Sequence, residues 1–432
     1  MRQAQRGGGR VGAGVLGSRP LGFDPQLLQT IADRVGTPAY VYGANLIRAQ
    51  YHALDDALKG VPHRICYSVK ANSNVGVLRV LRTVGAGADI VSVGELRRAL
   101  LAGFAPETII FSGVGKTGAE LEEAIRVGVG SINVESPAEL NALIAAADRV
   151  GRPAGVGIRV NPDVATDTHP YTKTGDKTAK FGVPFDEVVT VARRISDHPL
   201  LRLHGLAMHI GSQINAVEPY HRGTVKLLEL VTAIRASGMS GIEWLDVGGG
   251  LGVRYHNEKV PSLEAWADAV AGPIKAAGLG LQCEPGRFLV ANAGVLLMRV
   301  LYRKHAGARE YVIVDAGMTD FVRPSHYNAH HEIVPLSDGH RVEQLMNVVG
   351  PICESGDFLA LDRKLPEVAP GEVLALLGTG AYGFVMSSTY NARPRPPEIL
   401  VDGDRYYVAR QRETLEDLLR GEVLEPTTWY QT

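Results

Sequence analysis

The chain has 432 residues, with 45 lysines and arginines against 46 aspartates and glutamates and a formal net charge of −1. That balance gives no electrostatic case for nucleic acid or anionic lipid as a partner, and no apolar run reaches the roughly 18 residues of a membrane span. A hydrophobic content of 45% fits a globular chain of two or three domains, and three cysteines without CxxC spacing argue against a disulfide framework or a zinc site.

Residues 1–20, MRQAQRGGGRVGAGVLGSRP, are rich in Gly and Arg and lack the apolar core of a secretory signal. They read as a disordered tail, with a tag or start-site artefact as the alternative, and a cytoplasmic enzyme is the expectation. A short helix follows, with Asp24 as N-cap, Pro25 at the first helical position and Gly36 at the stop. Residues 39–42 predict a strand, and Ile47, Tyr51, Leu54 and Leu58 recur at helical spacing.

From there strand-like apolar runs recur at 65–69, 89–93, 109–112, 132–134, 156–160, 203–209, 244–247 and 281–284. Helical segments lie in most intervals, at 75–84, 94–102, 120–127, 137–150, 185–195, 217–237 and 263–277. The alternation predicts a closed (β/α)8 TIM barrel, with a doubly wound open sheet as the runner-up. After about residue 290 helices almost vanish. Strands are expected at 295–302, 311–314, 332–334, 342–349, 358–361, 373–377 and 399–401, with a last helix at 413–420. The expected organisation is a tail (1–20), an N-terminal segment (21–43), a barrel (44–290) and a C-terminal all-β domain (291–432).

In such a barrel the chemistry sits at the C-terminal ends of the strands. Reading those ends gives Lys70 in ICYSVKANSN, His209 in HIGSQ, the triplet Gly248-Gly249-Gly250, and Glu284 in EPGR. Each has a bland reading: an end lysine, a core histidine, a tight turn, an ion pair between Glu284 and Arg287. Consecutive glycines also expose N–H groups to a phosphate. Barrels often build a phosphate site from the loops after strands seven and eight, where Gly249, Gly250 and the Gly286-Arg287 pair of EPGR fall. Ser212 lies within reach of the same phosphate, His209 is placed to stack on a flat ring, and Glu284 to hold a ring nitrogen protonated. An amine, a phosphate cradle, an imidazole and a carboxylate together describe pyridoxal 5'-phosphate, with Lys70 as the Schiff-base lysine.

The second domain adds Arg323 and Tyr327 in VDAGMTDFVRPSHYNAHHEIVP, Cys353 and Glu354 in VGPICESGD, and Tyr382 in GAYGFVMSSTYNARPRP. Arg323 with Arg287 suits a carboxylate in fork geometry, Glu354 an ammonium, and Cys353 a thiol that gives or takes a proton. The bland alternative is that they are turn residues. His330 and His331 are adjacent, which is poor metal spacing, and no metal is expected.

These segments, with YSVKANSN, HIGSQI, DVGGGLG and EPGRFLV, resemble the diaminopimelate decarboxylases, fold-type III enzymes of the alanine-racemase-like group. The likeness runs from about Gly36 to Asp402. It includes THPYTKTGDKTAKFG, Thr168 to Gly182. The resemblance implies that strand 39–42 joins the C-terminal sheet and that the chain forms a homodimer with shared sites, Cys353 and Glu354 reaching the partner's site. It implies decarboxylation of meso-2,6-diaminopimelate to L-lysine and carbon dioxide, the last step of lysine biosynthesis. Lys70, Cys353 and His209 are then the catalytic residues. Ser212, Gly249, Gly250, Glu284, Gly286, Arg287 and Tyr382 bind cofactor beside Lys70 and His209. Arg287, Arg323, Tyr327, Glu354 and Tyr382 bind substrate. Rival readings are a decarboxylase of ornithine, arginine, a carboxylated polyamine or a carrier-bound aminoacyl group, a non-catalytic paralogue, and a racemase. Relatives acting on ornithine carry Asp where Glu354 stands.

Overall fold

The computed structural model describes residues 15–16, 19–20, 22–165, 174–175, 179–337, 341–423, 425 and 428. Most of the expected tail and most of THPYTKTGDKTAKFG therefore lie outside the described residues. The two-residue strands Val15–Leu16 and Arg19–Pro20 pair antiparallel.

The described chain forms two compact units. One, residues 44–294 and 378–386, holds eight parallel strands: His63–Ser68, Gly87–Ile90, Ile109–Phe111, Ser131–Val134, Ala154–Asn161, Leu201–Ala207, Trp244–Asp246 and Gly280–Cys283. Each pairs with the next, and Leu281 to Cys283 of the eighth pair with His63 to Ile65 of the first. The sheet is thus a closed cylinder, and the open doubly wound alternative is excluded. Closure buries both faces of each strand, which is why these segments read as continuous apolar runs.

Helices separate the strands because the sequence writes clear starts and stops. Asn74, Ser92, Thr117, Ser136 and Ser262 each accept a backbone N–H at a helix start, contributing about 1 kcal/mol apiece. Gly103, Gly128 and Gly151 stop their helices in the left-handed region. The helix Ala44–Leu58 buries Ile47, Tyr51, Leu54 and Leu58, the residues its periodicity singled out.

The other unit, residues 1–43, 295–377 and 387–432, is built on a mixed sheet. Its strand order is Phe358–Pro366, Glu343–Val349, Arg309–Val314, Gly294–Ala306, Ala39–Gly43, Glu398–Asp402 and Arg405–Arg410. Strand Val373–Leu377 adds to Gly294–Ala306 and in turn pairs with Ile333–Pro335. The N-terminal strand runs parallel to Glu398–Asp402. It is fixed there by buried hydroxyls: Tyr42 donates to Glu398 Oε1 at 2.8 Å and Tyr40 to the Asp320 carbonyl at 2.6 Å. The preceding helix, Pro25–Val35, starts on Asp24, which accepts from Gln26 N, and ends at Gly36 with φ 81°. Two expectations need correction. Residues 405–410 form a strand that the sequence reading omits, and the last helix shrinks to Leu415–Leu418.

Candidate active site

Strand one stops at Ser68, one residue short of expectation, and the chain turns through a short 3-10 segment, Val69–Ala71. Lys70 sits in that turn, at the C-terminal mouth of the cylinder. Its Nζ donates to Asp89 Oδ2 at 2.8 Å, and Ser68 Oγ lies 2.6 Å from the same oxygen. Asp89 is fully buried, and its Oδ1 has no hydrogen-bond partner among the described residues. Burial opposes the Lys70 ammonium, but Asp89 and then Glu284 outweigh it and hold the amine above its usual value.

His209 falls two residues beyond the end of strand six. Its Nδ1 accepts from Gly249 N at 3.2 Å, so the neutral ring carries its proton on Nε2. Burial, then the charges of Arg159 and Lys70, hold its pKa well below the usual value. Thr174 Oγ1 donates to the His209 carbonyl at 2.7 Å.

After strand seven the chain makes the glycine turn, with φ 72° at Gly248 and 95° at Gly250. Gly249 is required for space rather than dihedral: a Cβ there would lie 2.2 Å from the Glu284 carbonyl oxygen. Tyr220 Oη donates to the Gly249 carbonyl at 2.9 Å and Ile214 N to that of Gly250 at 2.9 Å. The turn is thus pinned from behind.

Glu284 follows strand eight and is buried. Ser112 Oγ donates to its Oε1 at 3.3 Å. Burial, then Asp246 and Asp89, raise its carboxyl well above the usual range, against the opposing pull of Lys70 and Arg159. Gly286 lets the chain pass Ser68 and Ala71, each of whose Cβ atoms would stand 3.0 Å from an added Cβ. Arg287 is buried, with Nη1 on Tyr255 Oη at 3.0 Å and Nη2 on Ser212 Oγ at 2.9 Å. Tyr382 lies face-on to that guanidinium at 4.8 Å. The segment carrying Tyr382 belongs to the barrel unit and docks on the lysine turn. Tyr382 N donates to the Ala71 carbonyl at 2.8 Å and Asn72 Nδ2 to that of Gly380 at 3.0 Å. Tyr382 holds φ 55°, a strained value for a non-glycine residue.

Lys70, His209, Ser212, Gly249, Gly250, Glu284, Gly286, Arg287 and Tyr382 thus all belong to the barrel unit. Arg323, Tyr327, Cys353 and Glu354 belong to the other unit. Arg323 is buried at the start of the helix Arg323–Tyr327, its Nη1 3.0 Å from His331 Nε2. His331 Nδ1 faces the Leu377 carbonyl at 2.8 Å and must donate there, leaving Nε2 to accept from the arginine. Cys353 and Glu354 are exposed on a turn shaped by buried Asp357, whose carboxylate accepts from Met318 N and Ile352 N, both at 2.6 Å. Cys353 N donates to Asn391 Oδ1 at 3.3 Å.

Several of these partners escaped the sequence reading. The apolar run 89–93 puts Asp89 at the beginning of its strand, whereas the strand is Gly87–Ile90 and Asp89 lies near the end that bears chemistry. Asp246 reads in the sequence as part of the apolar run before the glycines. Metal spacing gives His331 no role beside His330, yet it serves as an acceptor for Arg323. The dipeptide pattern DV-GGG was the available signal for Asp246; for His331 there was none.

Residues 44–291 match the family described as pyridoxal-dependent decarboxylase, pyridoxal binding domain. Over 399 residues, 92% of this chain and 96% of the relative, the chain is 48% identical to the diaminopimelate decarboxylase of Pseudomonas aeruginosa. Against that of Vibrio cholerae it is 45% identical, across 90% and 94%. The crystal structure of the Helicobacter pylori diaminopimelate decarboxylase complexed with L-lysine superimposes with a TM-score of 0.88 at 39% identity, across 91% of this chain and 98% of that one. The chain therefore belongs to the diaminopimelate decarboxylases, pyridoxal phosphate-dependent carboxy-lyases with a TIM barrel and a β domain.

Proposed function

We propose that this enzyme decarboxylates meso-2,6-diaminopimelate to L-lysine and carbon dioxide, the last step of lysine biosynthesis, as a cytoplasmic homodimer. The observation that carries the chemistry is the Lys70 amine, held by Asp89 at 2.8 Å in the same barrel mouth as Glu284 and the glycine turn. The residues fit pyridoxal phosphate: an amine for the aldehyde, a turn without side chains for the phosphate, and a buried carboxylate for the ring nitrogen. Bound there, the cofactor supplies an electron sink for the bond that breaks.

The barrel unit, residues 44–294 and 378–386, carries the cofactor residues, and the other unit contributes further substrate and catalytic residues. Lys70 Nζ anchors the cofactor. Glu284 holds the ring nitrogen's proton and so stabilises negative charge developing on the substrate. Neutral His209 stacks on the ring. Gly249, Gly250, Gly286 and Ser212 face the phosphate, with Arg287 and Tyr382 beside them. Arg287, Arg323, Tyr327 and Tyr382 bind a substrate carboxylate, and Glu354 the distal ammonium. Cys353 Sγ returns a proton to the carbon that lost the carboxylate, with Cys353 and Glu354 coming from the partner subunit. Likeness of the motifs around these residues to the family's supports the assignments.

A glutamate at 354 and an arginine at 323 favour a substrate with a second amino-acid head over ornithine. A site built for such charged groups rejects analogues lacking them by roughly 10⁴ or more. Carbon dioxide release from meso-diaminopimelate, ornithine, arginine and carboxynorspermidine, with and without added pyridoxal phosphate, tests the reading. Cofactor-dependent release from meso-diaminopimelate alone is expected; equal release from ornithine would overturn the substrate assignment.

A further inference from the structure

The cylinder has a second mouth, at the N-terminal ends of its strands, on the face away from Lys70. Side chains alternate along a strand, so Cys66 and Arg64 point the same way as Ser68, into the cylinder. Gln282 faces inward from strand eight, its Nε2 on Asp246 Oδ2 at 2.7 Å. Barrels usually fill such layers with bulky branched residues. Here glycines stand at 85, 87 and 130, and polar side chains take most of the other places. Strand crowding fixes two of the glycines: a Cβ at Gly87 would lie 2.6 Å from the Thr108 carbonyl oxygen, and one at Gly130 would lie 2.2 Å from that of Glu107. A hollow of about 310 Å³ remains, at the lower end of the range of about 300–1,000 Å³ for small-molecule sites. Every residue that lines it belongs to the barrel unit.

Four polar groups on this hollow have hydrogen-bonding capacity that the described residues leave unused. Tyr51 is 5% exposed, yet its hydroxyl makes no hydrogen bond among them. That hydroxyl would stand 3.6 Å from a Cβ at Gly85, on the wall of the hollow. Burial holds the His204 ring below its usual pKa, so at neutral pH it offers one donor and one acceptor, and neither is taken among the described residues. The Arg64 guanidinium lies over the Trp244 ring at 4.0 Å and has no carboxylate partner among the described residues. Glu107 has no ion pair or side-chain hydrogen bond among them either. Asp55 and His63, which also line the hollow, satisfy each other at 3.1 Å. The two unmatched charges stand on different sides. Arg64 leans from strand one toward strand seven, where Trp244 sits, whereas Glu107 precedes strand three.

We propose that this hollow is a second binding site, for a small amino acid whose amine and carboxylate lie at opposite ends, with the carboxylate on Arg64 and the ammonium on Glu107. The guanidinium supplies forked donors that match a carboxylate, and the Tyr51 hydroxyl and the His204 ring supply neutral partners inside. The charge balance selects the ligand. A simple carboxylate would gain Arg64 but face Glu107, and a simple amine would gain Glu107 but face Arg64. A zwitterion with separated ends meets both. The site lies at the opposite end of the strands from the cofactor residues, so it is independent of the reaction assigned to Lys70.

The test is isothermal titration calorimetry on the full-length holoenzyme at neutral pH. The probes are glycine, 4-aminobutyrate and 6-aminohexanoate, whose charges stand progressively farther apart, with butyrate and butylamine carrying one charge each. One of the two longer zwitterions should bind once per chain, about tenfold or more tighter than glycine or either single-charge probe. The visible absorbance of the cofactor should not change during the titration. Arg64→Gln and Glu107→Gln should each weaken the binding by about tenfold or more, and Tyr51→Phe by about fivefold. Arg64 and Glu107 are exposed, so neither substitution opens the core. If Arg64→Gln does not fold, Glu107→Gln and Tyr51→Phe carry the test. The site is overturned by the absence of saturable binding, by equal binding of glycine or butyrate, or by an unmoved affinity in Glu107→Gln. A change in cofactor absorbance that follows the binding heat also overturns it, since it places the probe at Lys70.

Discussion

Lys70 Nζ and Asp89 Oδ2 stand 2.8 Å apart at the mouth of the barrel, with the carboxylate fully buried and the lysine side chain a third exposed. Asp89 thus holds the Lys70 ammonium in the cofactor-free enzyme. Asp89→Asn should lower the amine's pKa and destabilise the cofactor-free protein by about 1–3 kcal/mol at pH 7. That is less than a fully buried pair would cost, because solvent screens the exposed end. The sign with pH follows from the raised lysine. Its stabilisation is complete below the unfolded lysine value of about 10.4 and fades as pH climbs through the higher folded value. Urea unfolding should therefore show a parent-to-variant gap that is constant through neutral pH and closes in strong alkali.

Lys70→Ala should abolish the visible absorbance of covalently held cofactor and reduce turnover to background, and, because it leaves the buried Asp89 carboxylate without its partner, it should also destabilise the cofactor-free protein by about 1–3 kcal/mol. An unaltered absorbance spectrum would remove Lys70 from the mechanism.

Cys353 is exposed on a turn organised by Asp357, so its thiol is dispensable for folding. Cys353→Ala should slow turnover by about 10²–10⁴-fold while cofactor affinity holds. Mixing this variant with Lys70→Ala and allowing subunit exchange should restore part of the activity. Confirmed exchange without recovery would place the two residues in the same subunit's site.

Gly249→Ala forces a methyl group onto the Glu284 carbonyl, 2.2 Å away. Neither backbone has slack, since Glu284 N is bonded to the Gly248 carbonyl at 2.9 Å. A loss of about 1–3 kcal/mol in stability is expected, with a weaker cofactor dissociation constant by equilibrium titration. Wild-type cofactor affinity in the variant would show that the turn is a structural bend only.

His331→Leu removes the acceptor 3.0 Å from Arg323 Nη1 and should destabilise the protein by about 1–3 kcal/mol. If Arg323 binds substrate carboxylate, KM should rise well beyond any change in kcat. Equal changes in both would assign the pair to scaffold.

The barrel was legible because closed parallel sheets bury both strand faces, and such strands stand out as apolar runs between turns. The edge strand Arg405–Arg410 was not, because its residues are half-buried or exposed and RYYVAR carries no apolar face. Lys70 and Glu284 could be picked out since each breaks an apolar run where a strand ends. Asp89 fell out of view through a two-residue offset: starting its strand at 89 puts the residue at the wrong end, whereas Gly87–Ile90 places it beside the mouth. His331 shows another limit. A histidine that accepts from an arginine leaves no spacing in the sequence, because the arginine, Leu377 and the ring meet only through the fold.

The N-terminal strand Ala39–Gly43 closes its sheet with residues made far later, Tyr42 meeting Glu398 across 356 positions of chain. During synthesis the cylinder can be completed while this strand still lacks its second neighbour, Glu398–Asp402. For most of translation an apolar ribbon of five residues is exposed on the nascent chain, open to any passing strand edge. Truncation near residue 397 should therefore yield a product prone to aggregate even with its barrel whole, and the order of manufacture makes the last stretch of the gene a condition for the first to settle.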